Sequence, residues 1–381
     1  MTLSRRKSMA LIGGGVVLAA GGGTAYEVTR KPDAALAPWA RAGSYDDPRM
    51  RALSYAILAP NPHNRQPWKV DLSQSDRAVL YVDTDRLLPH TDPFNRQITI
   101  GLGCFLEVMR LAALEDGLAV DVDLFPDGSD PEALDARPVA LCTFTPTTAP
   151  PDPLFAQVPH RRTLKEIYDT SRPVPQDVLA RIRRAARHGT DVGVTDDAAQ
   201  VAALRDLSAE AFLIEFRTKR TLKESVDLFR IGHREVNANP DGIDFSGPMF
   251  EMLRLTGLFS REKAMDPEDF SYKSAEDLVV ANVMSGMAHL WQVTATNTRQ
   301  DQIRTGQDWV RINLAATAEG VGLQPLSQGL QEFPEMARIY ATLHETLAPD
   351  GGTVQMWCRL GYGPEVPVSP RWPLEAKLMN A

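Results

Sequence analysis

Apolar positions along the chain follow two rhythms. Short β-rich runs at 78–82 (Ala-Val-Leu-Tyr-Val), 139–144 and 354–358 read as strands, and 69–72 reads as another. Longer stretches at 50–58, 176–188, 198–218 and 275–296 carry apolar residues at helical spacing and predict helices. Leu106, Met109, Leu111 and Leu114 form one such stripe, and Trp309, Ile312, Leu314 and Thr317 form another; Gly117 and Gly320 stand where a C-cap would stop each. Helices alternating with strands place the chain in the α+β class. The stretch 245–274 is rich in Met, Phe and Leu without one clean period and is expected to form a lid.

Proline punctuation is heaviest at 145–159 and predicts a boundary there. On either side the chain repeats itself. Arg96-Gln97, Gly103, Leu111-Ala112-Ala113 and Gly117 recur without a gap 203 residues later, as Arg299-Gln300, Gly306, Leu314-Ala315-Ala316 and Gly320. Two diverged halves follow, 45–150 and 155–375, the second holding the lid.

Composition narrows the function classes. A chain of 381 residues with 43% hydrophobic content can bury a large core, and a net charge of −8 lacks the basic face that nucleic acid requires. Cys104, Cys142 and Cys358 form neither a disulfide framework nor a paired metal-ligand spacing, and no metal site is expected. At the N-terminus, Arg5-Arg6 precede an apolar, glycine-rich run from Ala10 to about Ala25. Residues 1–25 are therefore expected to be a twin-arginine signal, which sends the protein to the periplasm or the membrane surface. That route moves folded cargo, so a tightly held cofactor inserted before export would be natural. The triple glycines at 13–15 and 21–23 follow no strand and are not a dinucleotide fingerprint.

Candidate chemistry is concentrated in four segments. Ala59-Pro60-Asn61-Pro62-His63-Asn64-Arg65-Gln66-Pro67-Trp68 lies between a helix and a strand, where Asn and Gln beside prolines offer fixed amide groups to a planar heterocycle; the same residues also suit a plain turn. In Arg161-Arg162-Thr163-Leu164-Lys165, alternate residues of an extended segment would point two cations and a hydroxyl one way, towards a dianionic phosphate; a solvated charge run is the alternative. Gly320 to Gln328 includes Pro325-Leu326-Ser327-Gln328, and the C-terminal segment carries Arg371. Serine-hydrolase, zinc-protease and nucleotide-loop signatures do not occur, and the seven histidines are scattered.

These segments resemble the nitroreductase-like flavoprotein superfamily, whose members carry a helix ending in Ala-Pro-Ser and then Asn-x-Gln-Pro-Trp, although Asn61 replaces the serine here. Arg161 to Lys165 is similar to the superfamily's basic opening motif. Residues 320–328 look like the segment that approaches the flavin N5 and O4, and 360–373 like the C-terminal strand and its arginine. The expected basic start of the first half is instead Ala37-Pro38-Trp39-Ala40-Arg41-Ala42, and the second half's loop position reads Arg187-His188-Gly189-Thr190-Asp191. One complete site per chain is thus expected, as in the fused, two-lobed subfamily called the Acg family, with antiparallel sheets flanked by helices.

The resemblance implies FMN, held by Asn61, Asn64, Gln66, Pro67, Trp68, Arg161, Arg162, Thr163, Lys165, Pro325, Leu326, Ser327, Gln328 and Arg371. It implies hydride transfer from a reduced donor such as NAD(P)H through flavin N5 to a nitro, quinone or similar acceptor, with no protein nucleophile or general base, by a monomer or homodimer. Two alternatives stay open: a protein that binds or sequesters flavin under its lid with little turnover, and one that has lost flavin.

Overall fold

A computed structural model describes residues 29–379; the segment 1–25 expected as an export signal lies outside the described residues. The first half supplies β1 (Trp68–Asp71), β2 (Arg77–Val82), β3 (Leu118–Leu124) and β4 (Ala140–Pro146), an antiparallel sheet in the order β1-β2-β4-β3. Ala78, Leu80 and Val82 are the buried alternate residues of β2, so the two-residue period sets its register. The second half contributes β5 (Asp191–Thr195), β6 (Phe229–Ile231), β7 (Ile243–Phe245), β8 (Ala288–Thr294), β9 (Gly322–Pro325) and β10 (Thr353–Gly361). Its main sheet runs β5-β8-β10-β9, the same succession of strands and again antiparallel, while β6 and β7 form a small parallel pair.

The halves differ by an insertion. A short turn joins β1 to β2, whereas most of residues 196–287 between β5 and β8 is helical, including helices Ala198–Arg217 and Phe270–Val283. The expected helix at 275–296 is corrected here: the chain is helical only to Val283, and Ala288–Thr294 is strand β8. Ser285-Gly286 interrupts the helix, and β8, paired on both sides, buries residues on both faces, which hides the two-residue period.

Helices Arg96–Glu115 and Arg299–Ala318 lie at the centre. A capping box of Thr298 and Asp301 starts the second, and Asp92 accepts the Gln97 and Ile98 amides at the start of the first. Gly117 and Gly320 follow their ends with φ of 66° and 65°, the left-handed conformation a C-cap glycine supplies. The helices cross reciprocally. A Cβ on Gly103 would lie 2.1 Å from the Ile303 carbonyl oxygen, and one on Gly306 would lie 1.9 Å from that of Ile100. Each contact is the other's image at the 203-residue offset, as in a two-fold interface. The apolar core around this crossing includes residues of both halves, from Ala52 to Leu374.

Candidate functional site

The loop after helix Pro48–Ala56 is held in an unusual conformation. His63, Asn64 and Gln66 have φ of 47°, 51° and 50°, a left-handed region that non-glycine residues enter only when their surroundings impose it. Here the loop's own amides impose it. Asn61 donates to the Ala59 carbonyl (3.1 Å) and accepts from the Gln66 amide (2.7 Å). Gln66 is fully buried, donating to the Pro240 carbonyl (2.7 Å) and accepting from the Trp372 amide (2.9 Å). Asn64 donates to the Pro370 carbonyl (3.0 Å) and accepts from Arg371 (2.7 Å). Pro67 and Trp68 are buried, and Trp68 packs on Phe105 in the core.

The side-chain amides of Asn61, Asn64 and Gln66, expected as fixed groups for a heterocycle, are thus each bonded at both ends within the fold. Arg371 is engaged in the same way. Its Nε donates to the Ile57 carbonyl (2.9 Å), Nη2 to Leu58 and Ala59, and Nη1 to Asn64, Ser369 and Pro370. Its role is to cap the carbonyl end of the 48–56 helix, which leaves its charge but no spare donor for an anion.

Arg161 and its neighbours behave differently. Leu164 donates its amide to the Leu323 carbonyl (3.0 Å), laying the segment beside β9. Arg161 is buried, with one long bond from Nη2 to the Leu58 carbonyl (3.4 Å) and no partner for Nη1 among the described residues. Arg162 is half-buried with Nε unpartnered, and Thr163 is half-buried. Lys165 is exposed, yet surrounding atoms desolvate its ammonium enough to lower its pKa. Burial likewise brings Arg161 down to about 10 and Arg371 to about 9, and the charges of Arg161 and Arg162 add to the shift on Arg371. These neighbouring guanidiniums have no carboxylate among their partners in the described residues, which is the electrostatic condition of an anion site.

Lys165 links the remaining parts. Burial and then the charges of Lys165 and Arg65 push His63, from the first-half loop, down to about 4. On the other side Lys165 acts on Glu215, at the end of the inserted helix 198–217, which burial pushes up to about 7. Glu215 accepts from Gln331 (2.8 Å) and also bonds Gln328. Ser327 and Gln328 are half-buried and open a short turn whose first N–H groups lack acceptors inside it, whereas Pro325 pairs opposite Cys358 and Leu326 donates its amide to Trp357 (2.8 Å).

The structure thus brings 161–165, 327–328 and the 59–68 loop together between the halves. Glu215, Asn282 and Trp39 were not legible as site residues. Asn282 bonds the Lys165 carbonyl, and the Trp39 ring lies under Arg162. A buried glutamate on an otherwise ordinary helix carries no sequence signal. Around the expected lid, Phe229, Phe245, Phe250 and Phe259 form a small aromatic cluster, while Met249, Leu255, Leu258 and Phe270 are exposed. The insertion meets the site loop through Pro240 and Gly242 instead.

The second half's loop position is closed. Asp308 accepts the amides of Arg187, His188 and Thr190, and Glu107 pairs with His188, Arg110 and Arg311. Glu107 and Asp152 there have cations and Asp308 is met by backbone amides and the Thr190 hydroxyl, the reverse of the arrangement at Arg161. Among the described residues, no group of three or more His, Cys, Asp or Glu is placed to hold a metal.

No protein-family model matches the sequence. Over 328 residues the chain is 27% identical to a Mycobacterium tuberculosis protein named "Putative NAD(P)H nitroreductase", covering 84% of this chain and 87% of that protein. A second protein of that organism, given the same description and the name acg, is 35% identical over 80 residues, covering 21% of this chain and 24% of its own length. Among solved structures, the FMN-dependent nitroreductase NfnB from Mycobacterium smegmatis, in complex with NADPH, covers 58% of this chain and 94% of that one, with 16% identity and a TM-score of 0.34. A nitroreductase-titled structure from Anabaena variabilis covers 81% and 82%, with 12% identity and a TM-score of 0.38.

Proposed function

We propose that this chain is an FMN-dependent oxidoreductase of the nitroreductase type, with one composite cofactor site between its halves. The observation that carries the reading is the buried, unpartnered Nη1 of Arg161 in a cluster of cations without a carboxylate. A phosphate monoester fits it, because a dianion supplies the missing acceptors and the missing charge together. Similarity along most of the chain to a protein named as an NAD(P)H nitroreductase supports the same reading.

When bound, FMN supplies two-electron chemistry, taking hydride at N5 from a reduced donor and passing reducing equivalents to a nitro, quinone or similar acceptor. The chain's own residues bind and orient. Arg161, Arg162 and Lys165 hold the phosphate, and Thr163 offers a hydroxyl beside them. The amides of Ser327 and Gln328, which open a short turn, would stabilise negative charge on the ring. Asn64 and Gln66 act at one remove, locking the loop that walls the site. Glu107 paired with cations and Asp308 taken up by backbone amides argue against a second site, so the ratio is one FMN per chain.

A reading in which flavin is held with little turnover draws on the insertion's bonds to Asn64 and Gln66, which restrict access from that side. Oxidation of NADH or NADPH by the loaded protein with an added nitroaromatic or quinone separates the two readings. Export by the twin-arginine route is part of the proposal, and cell fractionation with the Arg5-Arg6 pair replaced by lysines tests it.

The decisive experiment is the visible spectrum of protein purified without added flavin, alongside an Arg161→Ala, Lys165→Ala double variant. The expected result is an oxidised-flavin spectrum at about one FMN per chain, lost in the variant. A colourless wild type that also rejects added FMN refutes the reading.

A further inference from the structure

Helix Asp33–Arg41 belongs to neither half, yet it reaches the cation cluster. The Trp39 ring lies beneath two of the guanidiniums, with its centroid 5.0 Å from the Arg162 Cζ and 5.5 Å from the Arg371 Cζ. The indole is fixed in turn, because Nε1 donates to the Ser369 carbonyl (2.8 Å) and the Ser369 hydroxyl accepts from Arg371 (2.8 Å). Around it, the Arg371 amide donates to the Ala35 carbonyl (2.9 Å) and the Ala35 amide to Asn237 (3.1 Å). Arg41 and Tyr45 both bond Glu375 at 3.0 Å.

The cluster has a cost that something must offset. Arg161, Arg162 and Arg371 repel one another, and no carboxylate among the described residues balances them. The face of an indole carries partial negative charge and is the best aromatic partner for a guanidinium. Trp39 is thus the group that holds two of these cations before an anion arrives. It is also mounted on a segment tied down by the C-terminal tail (369–375) and Asn237 rather than by either sheet.

We propose that Trp39 is a positioning residue for the phosphate-bearing cofactor, and that helix 33–41 is a clasp that must lift for the cofactor to leave. This rests on the FMN reading above. Anion binding and clasp closure favour each other, since both draw on the Arg162 guanidinium and on the positive charge of Arg371 beside it, and ligands shift an equilibrium only through such differential contacts. The protein therefore retains its cofactor by slow release, and the clasp governs that release.

The test uses the full chain loaded with FMN, with release followed by flavin fluorescence after dilution. Trp39→Leu keeps bulk and removes the aromatic face, while Trp39→Phe restores a face. Release on the order of tenfold faster in the leucine variant, with the phenylalanine variant near wild type, is the expected result, since cation–π contacts of this kind are worth about a factor of ten together. Equal release rates in all three proteins overturn the clasp while leaving the FMN reading intact. A wild type that binds no FMN overturns both. Should the leucine variant fail to fold, hydrogen exchange in the wild type decides: amides of Ala35, Leu36, Ala37 and Trp39 that gain protection when FMN is added support the clasp, and unchanged protection overturns it.

Discussion

Gln66 and Arg161 show how differently two polar side chains serve one site. Gln66 has both ends of its side chain bonded to other segments and a further bond to the Asn64 carbonyl (3.3 Å), so it stabilises a strained turn. Arg161 retains an unsatisfied donor in a buried place, a state that proteins avoid unless a partner completes it. Glu215 is the third informative residue. Burial lifts it from 4.5 to about 7, so between those values the folded protein binds more protons than the unfolded chain. Its contribution to stability is present in full below the unfolded value and is lost as pH rises through the folded one. Glu215→Gln should therefore raise the melting temperature over wild type at pH 8, with the gain shrinking towards pH 5. Thermal melts at the two pH values check this, and an equal shift at both refutes it.

At the scale of elements, the crossing of helices 96–115 and 299–318 sets how closely the halves approach. Gly306→Ala would place a methyl 1.9 Å from the Ile100 carbonyl oxygen, so the helices would have to part. A loss of about 3 kcal/mol is expected from such overpacking, measurable by urea unfolding. A loss below about 1 kcal/mol would show slack in the crossing. Helix 96–115 and strands β2, β4 and β10 were legible because their periodicity is strong and their ends carry glycine or turn residues. Helix 275–296 was misread because a strand buried on both faces shows no alternation, and its Ala, Leu and Gln content suits a helix equally.

For the whole molecule, the two sheets share a strand order, while the charge balance of their loop positions differs. At one position Arg311 bridges the halves, meeting Glu107 and Asp152 at 2.8 Å each. Arg311→Met should cost about 3 kcal/mol, because it removes the buried cation that Glu107 and Asp152 share, and should leave FMN binding at Arg161 unchanged. Denaturant unfolding and flavin titration of the same variant check the two parts, and loss of flavin would mean that the two positions are coupled.

The sequence by itself determined the α+β class, the repeat, most helices and strands and the basic segment 161–165, because periodicity, turn residues and ungapped identity are local properties of a chain. It also marked the 59–68 loop, through residues that proved to build the loop's shape. Only the tertiary structure decided which polar groups folding would consume and which it would leave. Asn64, Gln66 and Arg371 are spent on one another and on carbonyls far away in the chain, Arg161 is not, and Glu215 and Trp39 arrive from an insertion and an N-terminal helix without a motif. Hydrogen-bond satisfaction depends on partners hundreds of residues distant, and a linear pattern carries no record of that pairing.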